Sequence, residues 1–207
     1  MIGQPDWKNE SASRFCTHAQ TIIAPVYKYL LQDLQTIYGN DLQGQTLLEL
    51  GCGPGLMNSH FIKAGLKFVY EVDISQAMLL EAKTRVDQER TMLLTADAAA
   101  IPLGDSSVNL VFSRGSIFFW SNLETCLKEI QRVLRPGGFA LLGGGYGFST
   151  PEELLKPILR HRHDKKDRSS IPRLDLDELL QIARRVFSQA EIVQHKKRGF
   201  WLSCHKK

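Results

Sequence analysis

Leu47-Leu48-Glu49-Leu50 is a short apolar run broken by one acid. Gly51-Cys52-Gly53-Pro54-Gly55 follows it, with glycines at alternate positions. The run reads as a buried strand, and the glycines as a tight turn into a helix. Glycine there permits positive φ and lets a ligand approach a backbone that carries no Cβ. The spacing is G-x-G-x-G, which differs from the G-x-G-x-x-G of dinucleotide binding. An acid two positions before the first glycine suits a ligand that carries an ammonium group.

A chain of 207 residues predicts one domain with a core that needs neither disulfide nor metal. The four cysteines, Cys16, Cys52, Cys126 and Cys204, are far apart and form no C-x-x-C pair. Reduced thiols and no metal site are therefore expected, with Cys52 a small buried residue. There is no basic-apolar-small N-terminal pattern and no apolar run long enough to span a bilayer, so the expected compartment is the cytoplasm. Charge is uneven. Residues 1–150 carry 12 basic and 14 acidic side chains, whereas 151–207 carry 14 and 8. The basic tail, densest over 156–173, reads first as a solvated surface and second as an anion-binding face.

Apolar residues at helical spacing predict an amphipathic helix over 21–38 that carries Pro25 in its first turn and stops at Gly39-Asn40. From Thr46 strands and helices alternate. Strands are predicted at 46–50, 67–72, 91–95, 108–112 and 139–143, and helices at 56–64, 76–89 and 122–134. This alternation predicts a mostly parallel sheet with helices on both faces. Beyond 150, helices are expected at 151–160 and 175–187. Ile192-Val193 and Phe200-Trp201-Leu202, separated by a turn at Gly199, predict a C-terminal antiparallel hairpin.

Three further constellations fall after predicted strands or at a helix end. Tyr70-Glu71-Val72-Asp73-Ile74-Ser75 puts two carboxylates, Glu71 and Asp73, about 20 residues past the glycines, where a carboxylate can accept hydrogen bonds from ribose hydroxyls. Thr95-Ala96-Asp97-Ala98 precedes Ile101-Pro102, and Glu129-Ile130-Gln131-Arg132-Val133-Leu134-Arg135-Pro136-Gly137-Gly138 closes a helix and turns into the fifth strand. In this order, over about 42–145, the four motifs resemble class I S-adenosylmethionine-dependent methyltransferases, nearest to the small-molecule, ubiquinone/menaquinone-biosynthesis-like branch.

The resemblance implies a Rossmann-like three-layer αβα sandwich. Its seven-stranded, mostly parallel sheet would run 3-2-1-4-5-7-6 with strand 7 antiparallel. A single domain over 1–207 would comprise a helical lid (1–40), a cofactor-binding core (41–150) and C-terminal helices with the hairpin (151–207). It also implies S-adenosylmethionine as cofactor, with S-adenosylhomocysteine as product. Glu49 would meet the methionyl ammonium, and Gly51, Gly53 and Gly55 would leave room for the ligand. Asp73 would take the ribose hydroxyls beside Ile74. Asp97 and the Ala98 N–H would contact the adenine, and Ser113 would lie near the sulfonium. For the acceptor side, His18, Tyr27, Arg114 and Tyr146 are the candidates. Phe118, Phe119 and Trp120 either wall an acceptor pocket or pack under the next helix, and the glycines at 143–147 let backbone approach either substrate or lid. The implied activity is methyl transfer to a small molecule by in-line displacement. A nucleic-acid methyltransferase using 156–173 and a non-catalytic S-adenosylmethionine-binding protein are the alternatives. An NAD-dependent oxidoreductase fits the glycine spacing less well.

Overall fold

The computed structural model describes residues 16–17, 19–39, 41–164, 172–195 and 198–207, with side chains omitted at 160–164. Strands β1 (Thr46–Leu50), β2 (Phe68–Asp73), β3 (Thr91–Thr95), β4 (Val108–Arg114), β5 (Leu134–Gly145), β6 (Gln189–His195) and β7 (Gly199–His205) form one sheet. Its order is β3-β2-β1-β4-β5-β7-β6. The first five strands are parallel, while β7 runs antiparallel to both β5 and β6. Helices are α1 (Tyr27–Tyr38), α2 (Asn58–Lys63), α3 (Gln76–Ala82), α4 (Leu123–Val133), α5 (Glu152–Asp164) and α6 (Leu176–Val186). None among the described residues is long and apolar enough to cross a membrane.

Side chains alternate across each strand, so one strand feeds two cores. Leu48, Leu50, Val111, Ala140 and Leu142 pack with α4 and α6. Leu47, Val69, Leu110, Phe112 and Phe139 pack with α1, α2 and α5 on the other face. The central strands are covered on both sides, which is why their sequences read as apolar runs. The alternation puts Glu49, between Leu48 and Leu50, on the α1/α2 side.

The predicted helix over 21–38 is three pieces: a π-helical turn at Ala19–Ile23, a 3₁₀ turn at Ala24–Val26, and α1. Pro25 is the reason. It has no N–H to bond backward, and it disfavours α geometry at Ala24. The helix ends as expected, with Gly39 left-handed at φ 71° and its N–H bonded to the Gln35 carbonyl. Helix α3 ends seven residues short of the predicted 89. Beyond it the Asp87 N–H donates to Asn58 Oδ1 (3.0 Å), and the Asp87 carboxylate accepts from the N–H groups of Glu89 and Arg90. These bonds turn the backbone toward β3. Strand β5 begins before the predicted 139: Leu134 pairs with Val108 and Phe139 with Leu110, leaving Arg135-Pro136-Gly137-Gly138 looped out between them.

Two polar clamps hold the loops. Arg132 binds both oxygens of Glu129, the carbonyls of Ile101 and Leu103, and Asp105; Glu129 also accepts the Ile101 N–H. The E-x-x-R part of the helix-end motif thus fastens the loop after β3. On α1, buried Asp33 accepts the N–H groups of Phe148 and Ser149 and the indole N–H of Trp201 (2.9 Å), joining α1 to the loop after β5 and to β7. Replacing Asp33 by Ala leaves three donors without an acceptor. We expect a loss of about 2–4 kcal/mol in urea unfolding, with Asp33→Asn losing less because it keeps one acceptor oxygen. An Ala variant as stable as wild type would show that the clamp is idle.

Candidate functional site

The sheet order reverses between β1 and β4, and ligands of open α/β sheets bind outside the strand carboxyl ends at such a reversal. The glycine loop sits there. Gly51, Gly53 and Gly55 are all left-handed, with φ of 70°, 55° and 70°. Two of them answer to the protein's own packing. A Cβ on Gly51 would overlap the Ser116 side chain, and one on Gly55 would lie 2.9 Å from Val86 and 3.0 Å from Ala82. The loop is tied to β2 through the N–H groups of Gly51 and Cys52, which both donate to the Val72 carbonyl (2.7 and 3.1 Å).

Asp73 completes that tie. Its Oδ2 accepts the Gly53 N–H and its Oδ1 the Ser75 N–H, both at 2.8 Å. Burial pushes this carboxyl up, and the backbone N–H groups of Ser75, Gly53 and Ile74 oppose the rise. Ile74, beside it, is 45% exposed at the strand end. On the neighbouring strand Thr95 pairs with Asp73, so the loop carrying Asp97 starts alongside. Asp97 is half-buried and caps its own turn by accepting the Ala99 N–H (2.9 Å); Ala98 is buried against the core.

Glu49 is 4% exposed and Glu71, its register partner on β2, is fully buried. Burial raises both carboxyls. For Glu49 the neighbouring Glu71 and Asp73 add to the rise and Arg114 opposes it. The Oε2 atoms of both receive no donor. Tyr27 and Arg114 share this corner: burial raises the Tyr27 hydroxyl, Arg114 lowers it and Glu49 raises it. Arg114 donates through Nε to the Gly145 carbonyl (2.9 Å). Cys52 is buried and its thiol is pushed well up, first by burial and then by Glu71, so it stays a thiol.

Other expected site residues stand further from the crevice. Ser113 is fully buried, with its hydroxyl 2.7 Å from that of Ser116, which in turn donates to the Leu50 carbonyl. Tyr146 is buried in the α1-side core. Phe118 makes an edge contact with Phe200 at 5.9 Å and fills the space that a side chain on Gly144 would need, and Trp120 packs against the α4-side core. For these two rings the packing alternative holds. Among the glycines at 143–147, Gly143 and Gly145 make room for β7 and its turn, and Gly147 for Leu30 and Asp33 of α1. His18 lies outside the described residues. The basic segment 156–173 does so in part, and the side chains of Arg160 and Arg162 are among those omitted. Sequence reasoning passed over Glu71 and missed Asn58 and Asp33. An acid inside an otherwise apolar strand, in register with a second acid, is the signal that would have singled out Glu71.

Residues 48–142 match the family described as Methyltransferase domain. A malonyl-[acyl-carrier protein] O-methyltransferase of Erwinia billingiae is 35% identical over 104 residues, covering 50% of this chain and 40% of the relative. The Priestia megaterium protein of the same name is 30% identical over 148 residues, 68% of this chain and 53% of the relative. The chain thus spans about half the length, or less, of these curated relatives. A solved structure from Methanococcus maripaludis, described as a candidate S-adenosyl-L-methionine-dependent methyltransferase, superposes with a TM-score of 0.86 at 24% identity, covering 100% of this chain and 97% of that one.

The buried acid of β1 makes a stability prediction. Its carboxyl is raised in the folded state, so between the unfolded and folded values the native protein holds a proton that the unfolded chain lacks. Ligand-free stability therefore falls as pH rises through that window. Glu49→Gln removes the penalty, and its amide can donate to Glu71. We expect the variant to gain about 1.4 kcal/mol at neutral pH for each tenfold elevation of the proton affinity, and little where both carboxyls are already protonated. Urea unfolding across pH measures this; a variant less stable than wild type at neutral pH would refute it. Residues 48–142 thus match the methyltransferase-domain family model, and they are set in a sheet of order β3-β2-β1-β4-β5-β7-β6.

Proposed function

We propose that the chain is an S-adenosylmethionine-dependent methyltransferase acting on a small-molecule acceptor. The observation that carries the reading is the acidic edge at the β1/β4 reversal. There Asp73 is fixed against the glycine loop, and Glu49, two residues before Gly51, points an undonated oxygen beside it. These groups fit the proposed cofactor: Asp73 suits two vicinal hydroxyls, the undonated Glu49 oxygen suits an ammonium, and exposed Ile74 offers an apolar surface to a purine face. Asp97 and the Ala98 N–H stand on the next loop for the purine edge. When bound, S-adenosylmethionine supplies a methyl group already electrophilic on its sulfonium.

The protein's part is then orientation and exclusion of water. Proximity and orientation of this kind can supply about 7–11 kcal/mol of a barrier. Tyr27 and Arg114 line the same corner as Glu49 and are the acceptor-side groups we favour. Buried Cys16 packs against Met78 of α3. The O-methyltransferase names of the relatives support an oxygen acceptor, and a carboxylate oxygen on a small acyl group is the class to test first. Such an oxygen needs no general base, which agrees with a site lacking an obvious base dyad among the described residues.

Calorimetric titration with S-adenosylmethionine, S-adenosylhomocysteine and NAD tests the cofactor. We expect the two sulfur nucleosides to bind and NAD to give no heat. Asp73→Asn should bind S-adenosylhomocysteine about 10- to 100-fold more weakly, the loss expected for charge-assisted hydrogen bonds, while keeping its circular dichroism. Unchanged affinity would mean that the ribose is held elsewhere, and binding of NAD alone would overturn the methyltransferase reading.

A further inference from the structure

Glu71 has no part in the site just proposed, yet a fully buried carboxyl needs a reason. It stands abreast of Glu49 on the neighbouring parallel strand, and both face the layer of α1 and α2. Asn58, at the start of α2, donates its amide to Glu71 Oε1 (2.8 Å) and to Thr91 Oγ1 (3.0 Å). The amide cannot turn over, because its oxygen accepts the Asp87 N–H on the other side. Glu71 therefore always receives a donor and is the member of the pair that keeps its charge. Among the described residues, Glu49 Oε2 and Glu71 Oε2 are the oxygens of the pair left without donors.

Four other charged or titratable groups among the described residues act on the pair. Asp73 lies two residues further along β2, Cys52 in the glycine loop is a buried thiol that donates to the Gly53 carbonyl (3.6 Å), Tyr27 reaches in from α1, and Arg114 comes from the end of β4. Arg114 is the single cation among them, and its Nε is held by the Gly145 carbonyl. Two adjacent carboxylates in such a place do not both ionise; one proton between them is the stable arrangement.

We propose that Glu49 and Glu71 share one proton in the ligand-free protein, and that a ligand bringing an ammonium group to Glu49 expels it. The Glu49 O–H bond breaks, the proton passes to solvent, and the ammonium takes its place as the neutralising charge. Glu71 is thus a positioning residue: it holds the proton on Glu49 while the site is empty and leaves Glu49 anionic once the ammonium arrives. The inference rests on the cofactor reading above, in which Glu49 meets the methionyl ammonium. Below the pair's titration, affinity for ammonium ligands falls with falling pH, because each binding event must first remove a proton. Ligands without the ammonium show no such slope.

The test is titration calorimetry of the full chain at neutral pH in buffers of differing ionisation enthalpy. S-adenosylhomocysteine and 5′-methylthioadenosine, which lacks the amino-acid portion, are the two probes. We expect release of about one proton with S-adenosylhomocysteine and none with 5′-methylthioadenosine. Glu71→Gln keeps the Asn58 bond and should lose most of that release while still binding. Should that variant not fold, the wild-type pH profile decides the matter: affinity for S-adenosylhomocysteine should drop about tenfold per pH unit below the titration, with 5′-methylthioadenosine flat. Tight binding with buffer-independent heat would overturn the shared proton and leave the cofactor reading intact. Full proton release in a folded Glu71→Gln would overturn the role of Glu71. Silence from both nucleosides would overturn this inference and the cofactor reading together.

Discussion

Two carboxyl groups buried side by side at the carboxyl edge of the sheet are the costliest thing this fold contains, and much of their surroundings answers to that cost. An unpaired buried charge is worth several kcal/mol of destabilisation. Asn58 is fully buried to reach Glu71, and its other end holds Asp87. That contact in turn draws the backbone away from α3 and aims it at β3. The edge strand and the glycine loop are thereby coupled to one acid. Gly55, pressed against Ala82 and Val86, belongs to the same junction.

A second constraint closes the opposite side. Asp33 gathers two backbone donors and an indole from segments more than a hundred residues away. Arg198 adds to this by donating to the carbonyls of Phe148 and Thr150. The loop after β5 is thus held from α1 on one side and from the hairpin turn on the other. Arg114 bonds to Gly145, where β5 ends and that loop begins, so the corner it shares with Tyr27 and Glu49 is fastened beside the same clamp.

Local pattern carried the sheet well. Strands β1 and β3 begin and end where the apolar runs do, and the C-terminal hairpin follows from two β-rich runs around Gly199. The misreadings occur where a distant group overrides local preference. Helix α3 stops early because of Asn58, and nothing in residues 76–89 announces that partner. At the site, Asp73 and Glu71 are two apart on one strand, so their side chains share a face. What separates them is position relative to the strand end, a difference of one pleat that periodicity does not resolve. The glycines were recognisable as a loop, but the reason for most of them was not. Gly51, Gly55 and Gly143 to Gly147 answer to Ser116, Ala82, β7, Phe118 and α1. Close packing between remote segments leaves a glycine in the sequence with no trace of the neighbour that demands it.

The same geometry sets binding against stability. On the proposed reading, a site prepared for an ammonium holds negative charge that Arg114 alone opposes, and the empty protein bears the strain. The arrangement here moderates that strain by giving the second carboxyl a fixed donor and leaving Oε2 of the first without one among the described residues. In the proposed scheme a proton then serves as the resident cation until a better one arrives. Had Asn58 donated to both carboxyls, each would be held ionised and the repulsion between them would remain in the empty state. Had it donated to neither, the proton could rest on either oxygen pair, and Glu49 would be left neutral as often as charged when a ligand arrived. One locked amide decides between these cases, and it can do so only because the Asp87 backbone prevents it from turning over.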